Sequence, residues 1–130
     1  MKITALKTFI CNAFRTNFVF VKVETDSGIH GWGESTLEYK ELTIQAAIHD
    51  LESYLIGKDP HNIEAFRHDC YRDAYWRGGP VLMSALAGVE MALWVYLRLS
   101  FYLVTARMLS IASISVISFS IPRSIQCLVS

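Results

Sequence analysis

The chain has 130 residues, with 12 Lys and Arg against 12 Asp and Glu, and 52% of its side chains are hydrophobic. A length of this order bounds the chain to one domain, and balanced charge without a basic stripe excludes nucleic acid as the expected partner. The charge is nonetheless unevenly placed: all 12 acidic residues lie at or before Glu90, while positions 95–130 hold no Asp, Glu or Gly, three Arg, and eight Ser among Ile, Leu, Val and Phe. Few domains partition charge in this way, so residues 1–94 and 95–130 are read separately.

The first strand is expected from Ile3 to Ile10, with Ile3, Ala5, Lys7 and Phe9 on one parity and Thr4, Leu6 and Thr8 on the other. Residues 11–17 (Cys-Asn-Ala-Phe-Arg-Thr-Asn) break the alternation and read as a long polar loop. Phe18 to Thr25 alternates again, Asp26-Ser27-Gly28 supplies turn chemistry, and Ile29 to Glu34 returns as a third strand. The expected result is an antiparallel meander. A second polar loop follows, Ser35 to Lys40, and because it leaves strand three as the first loop leaves strand one, both emerge at one end.

The period then changes to that of helices. Ile44, Ala47, Ile48, Leu51 and Leu55 share one face, with Thr43 as the expected N-cap and Gly57 as the stop. Asp59-Pro60 resets the chain, and Ile63, Phe66, Cys70 and Ala74 trace a second helical stripe. Pro80 suits the first turn of a third helix, in which Val81 to Leu93 is apolar nearly all round and is expected to be buried between layers. Three strands followed by three helices is an α+β pattern, here with an atypical tail over 95–130 that is expected to be poorly ordered beyond an extension of the third helix.

Other motifs carry less. Gly31-Trp32-Gly33-Glu34 lacks the spacing and Lys of a phosphate cradle and reads better as glycines admitting a close backbone contact. Trp76-Arg77-Gly78-Gly79-Pro80 offers either a helix N-terminus for an anion or an ordinary loop and cap. His61, Glu64, His68 and Cys70 form no recognised metal spacing, so no metal site and no catalytic residue is assigned. Three cysteines without short pairing and the absence of a signal-like N-terminus point to a reducing, cytoplasmic setting.

Taken together, FVFVKVETDSGIHGWGESTLEYKELTIQAA, YLIGKDPHNIE and YRDAYWRGGPVLMSALAGVEMALW resemble the N-terminal capping domain of the enolase superfamily, mandelate racemase/muconate lactonizing enzyme branch. The similarity runs from Met1 to Trp94 and is closest to sugar-acid dehydratases of the D-galactonate and D-mannonate type. It implies a cap that closes over a (β/α)₈ barrel holding Mg²⁺, with the barrel supplying the acid and base groups. The implied reaction removes water from an aldonate by proton abstraction next to its carboxylate. On that resemblance Arg15, Asn17, Glu38 and Tyr39, with Trp76, are the substrate-facing candidates.

Past Leu93-Trp94 the chain departs from the family pattern, giving Val95-Tyr96-Leu97-Arg98. The resemblance therefore implies a truncated product that is inactive alone, binds no cofactor itself and is prone to self-association. The alternatives are a non-catalytic binding or self-associating module and a tail-anchored protein, although Met108 to Pro122 falls short of the ~20 apolar residues of a span.

Overall fold

The computed structural model describes residues 1–72, 75–108 and 126–129, with side chains over 1–72 and 75–105. Strands β1 (Ile3–Ala13), β2 (Thr16–Thr25) and β3 (His30–Glu34) form the antiparallel meander. Helices α1 (Glu41–Asp50), α2 (Glu52–Leu55), α3 (Ile63–Arg72) and α4 (Pro80–Met108) follow. A short strand, β4 (Gln126–Val129), pairs antiparallel with β1 and gives a sheet of order β3-β2-β1-β4.

The alternation in the sequence decides which face of the sheet is buried. Val19, Val21, Val23 and Thr25 of β2 point inward, as do Leu6 and Thr8 of β1. Ile3 reaches the same core despite its opposite parity because the pairing with β2 shifts between Ile3 and Ala5, and a bulge of this kind turns the strand by one residue. The outer face carries an aromatic and charged network. Phe9 lies 5.2 Å from Trp32, and the Glu24 carboxylate accepts from Lys22 at 2.7 Å and Lys7 at 2.9 Å.

Helix α4 covers the inner face. Ala85, Leu86, Val89, Ala92, Leu93 and Tyr96 are buried in the core with Ile44 and Ile48 of α1 and Phe66 of α3. The approach to β3 is backbone to backbone: a methyl at Gly31 would overlap the Ala92 carbonyl, and one at Gly33 the Gly88 carbonyl. The spacings match, since two residues along a strand advance about 6.7 Å and four along a helix about 6 Å. Gly31-Trp32-Gly33 is therefore the close-contact motif that its sequence suggested, and Gly88 faces the buried Ser35 hydroxyl in the same way.

Several sequence expectations are corrected. Residues 11–17 are no long loop: β1 and β2 pair as far as Ala13 and Thr16, leaving a tight turn at Phe14 and Arg15. The turn closes without glycine because Phe14 itself adopts φ 61°. The first helix starts at Glu41 with Lys40 at its N-cap and no side-chain cap bond, so Thr43 lies inside it. It breaks at Leu51, and Gly57, at φ 81°, ends the following turn as expected.

Val81 to Leu93 is buried on one side only: Leu82, Met83 and Met91 are exposed, so α4 is not enclosed between layers. The helix continues through Trp94, and Tyr96 is fully buried, donating its hydroxyl to Met1 Sδ at 2.9 Å and lying edge-on to His61. By length and composition α4 is apolar enough to cross a membrane over Pro80–Thr105, with 39% of its most apolar window buried inside the protein. Ala74 and positions 109–125 lie outside the described residues, and with them most of the Met108 to Pro122 run.

Two outcomes follow from these contacts. Gly33→Ala forces two backbones apart with no flexible side chain to yield, so it should destabilise the fold by about 1–3 kcal/mol in urea unfolding; an unchanged midpoint would show the contact to be slack. The hydrogen bonds from Lys22 and then Lys7 hold the Glu24 carboxyl below its usual range. A depressed carboxyl stabilises above its unfolded pKa and loses that contribution as pH falls through the folded value. The stability gap between wild type and Glu24→Gln, small for ion pairs on the outer face of a sheet, should therefore close below about pH 4, as read by melts across pH.

Candidate functional site

The β1–β2 turn and the segment after β3 meet at one end of the sheet and enclose a cleft of about 210 Å³, lined by Asn12, Phe14, Arg15, Thr16, Asn17, Glu38, Tyr39 and Glu41. Local backbone bonds shape each wall. Asn12 Oδ1 accepts from the Phe14 N–H at 3.1 Å, and the Ala13 carbonyl accepts from the Arg15 N–H at 2.6 Å. These hold the turn tip, whose Phe14 ring is fully exposed.

The opposite wall is tied down twice at β2. Ser35 N–H donates to the Val19 carbonyl at 2.8 Å, and Val19 N–H donates to Thr36 Oγ1 at 3.1 Å. Past these anchors the chain turns, with Lys40 N–H donating to the Leu37 carbonyl at 3.1 Å. Asn17 Nδ2 then bridges the walls, donating to Glu41 Oε1 at 3.3 Å.

Phe14 and Tyr39, at φ 61° and 62°, are the non-glycine residues of positive φ in the described chain. Both are aromatic, both line this cleft, and Tyr39 is 87% exposed. Backbone of this kind costs of order 1 kcal/mol per residue and collects at ligand-contacting sites. The cleft thus combines a guanidinium, two carboxylates, amide side chains and two outward aromatic rings. That mixture suits a small polar, polyhydroxylated ligand: Arg15 can pair with an anionic end, Asn17 and Glu38 can bond hydroxyls, and the rings can cover the ligand from water.

Of the residues picked from the sequence, Arg15, Asn17, Glu38 and Tyr39 come together here. Trp76 does not: it is exposed beside Tyr75, with ring centroids 5.3 Å apart, and lies outside the cleft lining. Asn12, Phe14 and Thr16 lie in the first polar segment without being singled out from the sequence, and Glu41 lies beyond both segments. An aromatic at the tip of a polar segment was the available signal for Phe14.

Among the described residues, no three His, Cys, Asp or Glu side chains come together in a group able to hold a metal ion. The cleft itself holds two carboxylates, Glu38 and Glu41, and the Mg²⁺ of the resemblance is expected on the barrel rather than here. A second groove, of about 330 Å³, lies beneath α2 and α3 and is bounded by the 3.2 Å Lys58–Asp69 ion pair.

Comparison with known proteins places this arrangement. Residues 3–97 match the mandelate racemase/muconate lactonizing enzyme N-terminal domain. A D-galactonate dehydratase of Ralstonia pickettii is 48% identical over 94 residues, 72% of this chain and 24% of the relative, and one from Cronobacter sakazakii is 47% identical over the same extent. The chain thus spans about a quarter of the length of the curated relatives it matches. Among solved structures, an enolase from Pantoea ananatis with bound D-gluconate and Mg superposes with TM-score 0.67 at 39% identity, covering 72% of this chain and 23% of that one. A putative dehydratase from Zymomonas mobilis gives TM-score 0.72 at 29% identity, covering 77% and 27%. With its three-stranded meander, its following helices and this match over most of its length, the chain belongs to the mandelate racemase/muconate lactonizing enzyme family and carries that family's N-terminal domain.

Proposed function

We propose that this chain is the substrate-covering part of a cytoplasmic sugar-acid dehydratase acting on a galactonate-like aldonate. The observation that carries the reading is the cleft itself, in which two loops far apart in sequence bring Arg15, Asn17, Glu38 and Tyr39 to one place. Identity of 46–48% to D-galactonate dehydratases over the segment that builds this cleft supports the substrate class.

In this reading the chain binds and orients rather than reacts. The Arg15 guanidinium attracts the aldonate carboxylate, Asn17 and Glu38 bond its hydroxyls, and Phe14 with Tyr39 exclude water. No step is assigned to a metal held by these residues. Proton abstraction and loss of the hydroxyl belong to parts of the longer relatives outside the matched segment.

The test is a chimera in which residues 1–94 replace the matched segment of the Ralstonia pickettii enzyme. The chimera should dehydrate D-galactonate. Arg15→Ala and Glu38→Ala should each change the kcat/KM ratio between D-galactonate and an epimeric aldonate by about tenfold or more, since a charged hydrogen bond contributes about 1.5–3 kcal/mol. An active chimera with unchanged ratios in both variants would mean that the cleft covers the substrate without reading it.

A further inference from the structure

Cys11 is buried on the side of β1 that faces away from the core. It shares the parity of Lys7 and Phe9, yet it is 1% exposed and lies apart from the residues clustered between sheet and helices. Strand β4 runs along this part of β1, with Ile10, Cys11 and Asn12 opposite Leu128, Cys127 and Gln126. Two of the three cysteines in the chain are therefore cross-strand partners.

Directly opposed residues of an antiparallel pair have Cα atoms about 4.5 or 5.5 Å apart, and both spacings fall within the span of about 4.4–6.8 Å that a disulfide bridges. Cys11 is disulfide-bonded, whereas Cys70, buried on α3, is not. That leaves Cys127 as its partner.

We propose that Cys11 and Cys127 form a redox-operated clasp, which fastens residues 126–129 along the edge of β1 when oxidised and releases them when reduced. A strand of four residues is short to hold by pairing alone, so the covalent bond decides whether it stays. The bond also closes a loop of nearly the whole chain, and long loops are those whose cross-linking constrains the unfolded state most. Without β4, β1 becomes an edge strand with unpaired N–H and C=O groups.

Disulfides of cytosolic proteins are mostly transient, so in the setting proposed above the clasp is open at rest and closes under oxidation. Glutathione disulfide is the oxidant. Because Cys11 is covered, the Cys127 thiolate attacks first, forming a mixed disulfide and releasing one glutathione; the Cys11 thiolate then displaces the second. The two cysteine protons end on the two glutathione thiols, and one S–S bond forms as one breaks.

Incubating the 130-residue chain at micromolar concentration with glutathione disulfide, then digesting it with trypsin without reductant, tests the pairing. Peptides 8–15 and 124–130 should be found joined, and dithiothreitol should part them. The oxidised chain should melt at least about 5 °C above the reduced one, and the β1 amides facing β4 should exchange at least about tenfold more slowly. Cys127→Ser should give no joined peptide and should melt like reduced wild type under both conditions. Absence of the joined peptide from oxidised wild type, joining of either peptide to 68–72, a cross-linked dimer on a non-reducing gel, or an oxidised chain that melts and exchanges like the reduced one would each overturn the proposal.

Discussion

The structure depends on one contact that has no side chains in it. Gly31 and Gly33 of β3 bring the strand backbone against the carbonyls of Ala92 and Gly88 of α4. Packing this close removes the gap that side chains normally span between a helix and a sheet, so the apolar residues on either side can interdigitate fully. Val19, Val21 and Val23 meet Val89 and Leu93 in the core as a consequence, each buried to within 1%. The cost is intolerance, because no rotamer change can absorb an added methyl between two backbones.

The position of the cleft follows from the same contact. Ser35 continues β3 directly, is buried against Gly88, and starts the segment that forms one wall. Its hydroxyl has no hydrogen-bond partner among the described residues, a burial that normally destabilises. Crowding at the β3–α4 crossing is what places it there. The other wall is set by the β1–β2 register, which runs without a break from Ala5↔Glu24 to Ala13↔Thr16 and delivers Phe14 and Arg15 to the tip. Helix packing and strand register thus fix two loops that share no contact in sequence.

How much of this was legible varied with the physics behind each element. The alternation in Phe18 to Thr25 revealed β2 because one face is buried and the other wet, and the glycines of β3 announced a close approach. The β1–β2 turn was hidden because Cys-Asn-Ala-Phe-Arg-Thr-Asn contains no glycine, and a phenylalanine at φ 61° has no compositional signature. The start of α1 was misplaced because Lys40 offers no capping side chain, leaving Thr43 as the more attractive choice. For the site, loops at one end of a meander sufficed to bring Arg15, Asn17, Glu38 and Tyr39 together. Trp76 stands apart from them because it follows α3, whose direction strand periodicity does not determine. The uniform apolarity of α4 concealed which side faces out, since only contact with the sheet distinguishes Met91 from Ala92.

Native-state hydrogen exchange tests most directly whether the β3–α4 backbone contact holds the fold together. If it does, amides of Gly31 to Gly33 and of Val89 to Leu93 should exchange together, at the free energy of global unfolding and with the same denaturant dependence. Exchange of the α4 amides at a distinctly lower free energy, while β1 and β2 stay protected, would show that the helix opens independently of the sheet and would contradict the account.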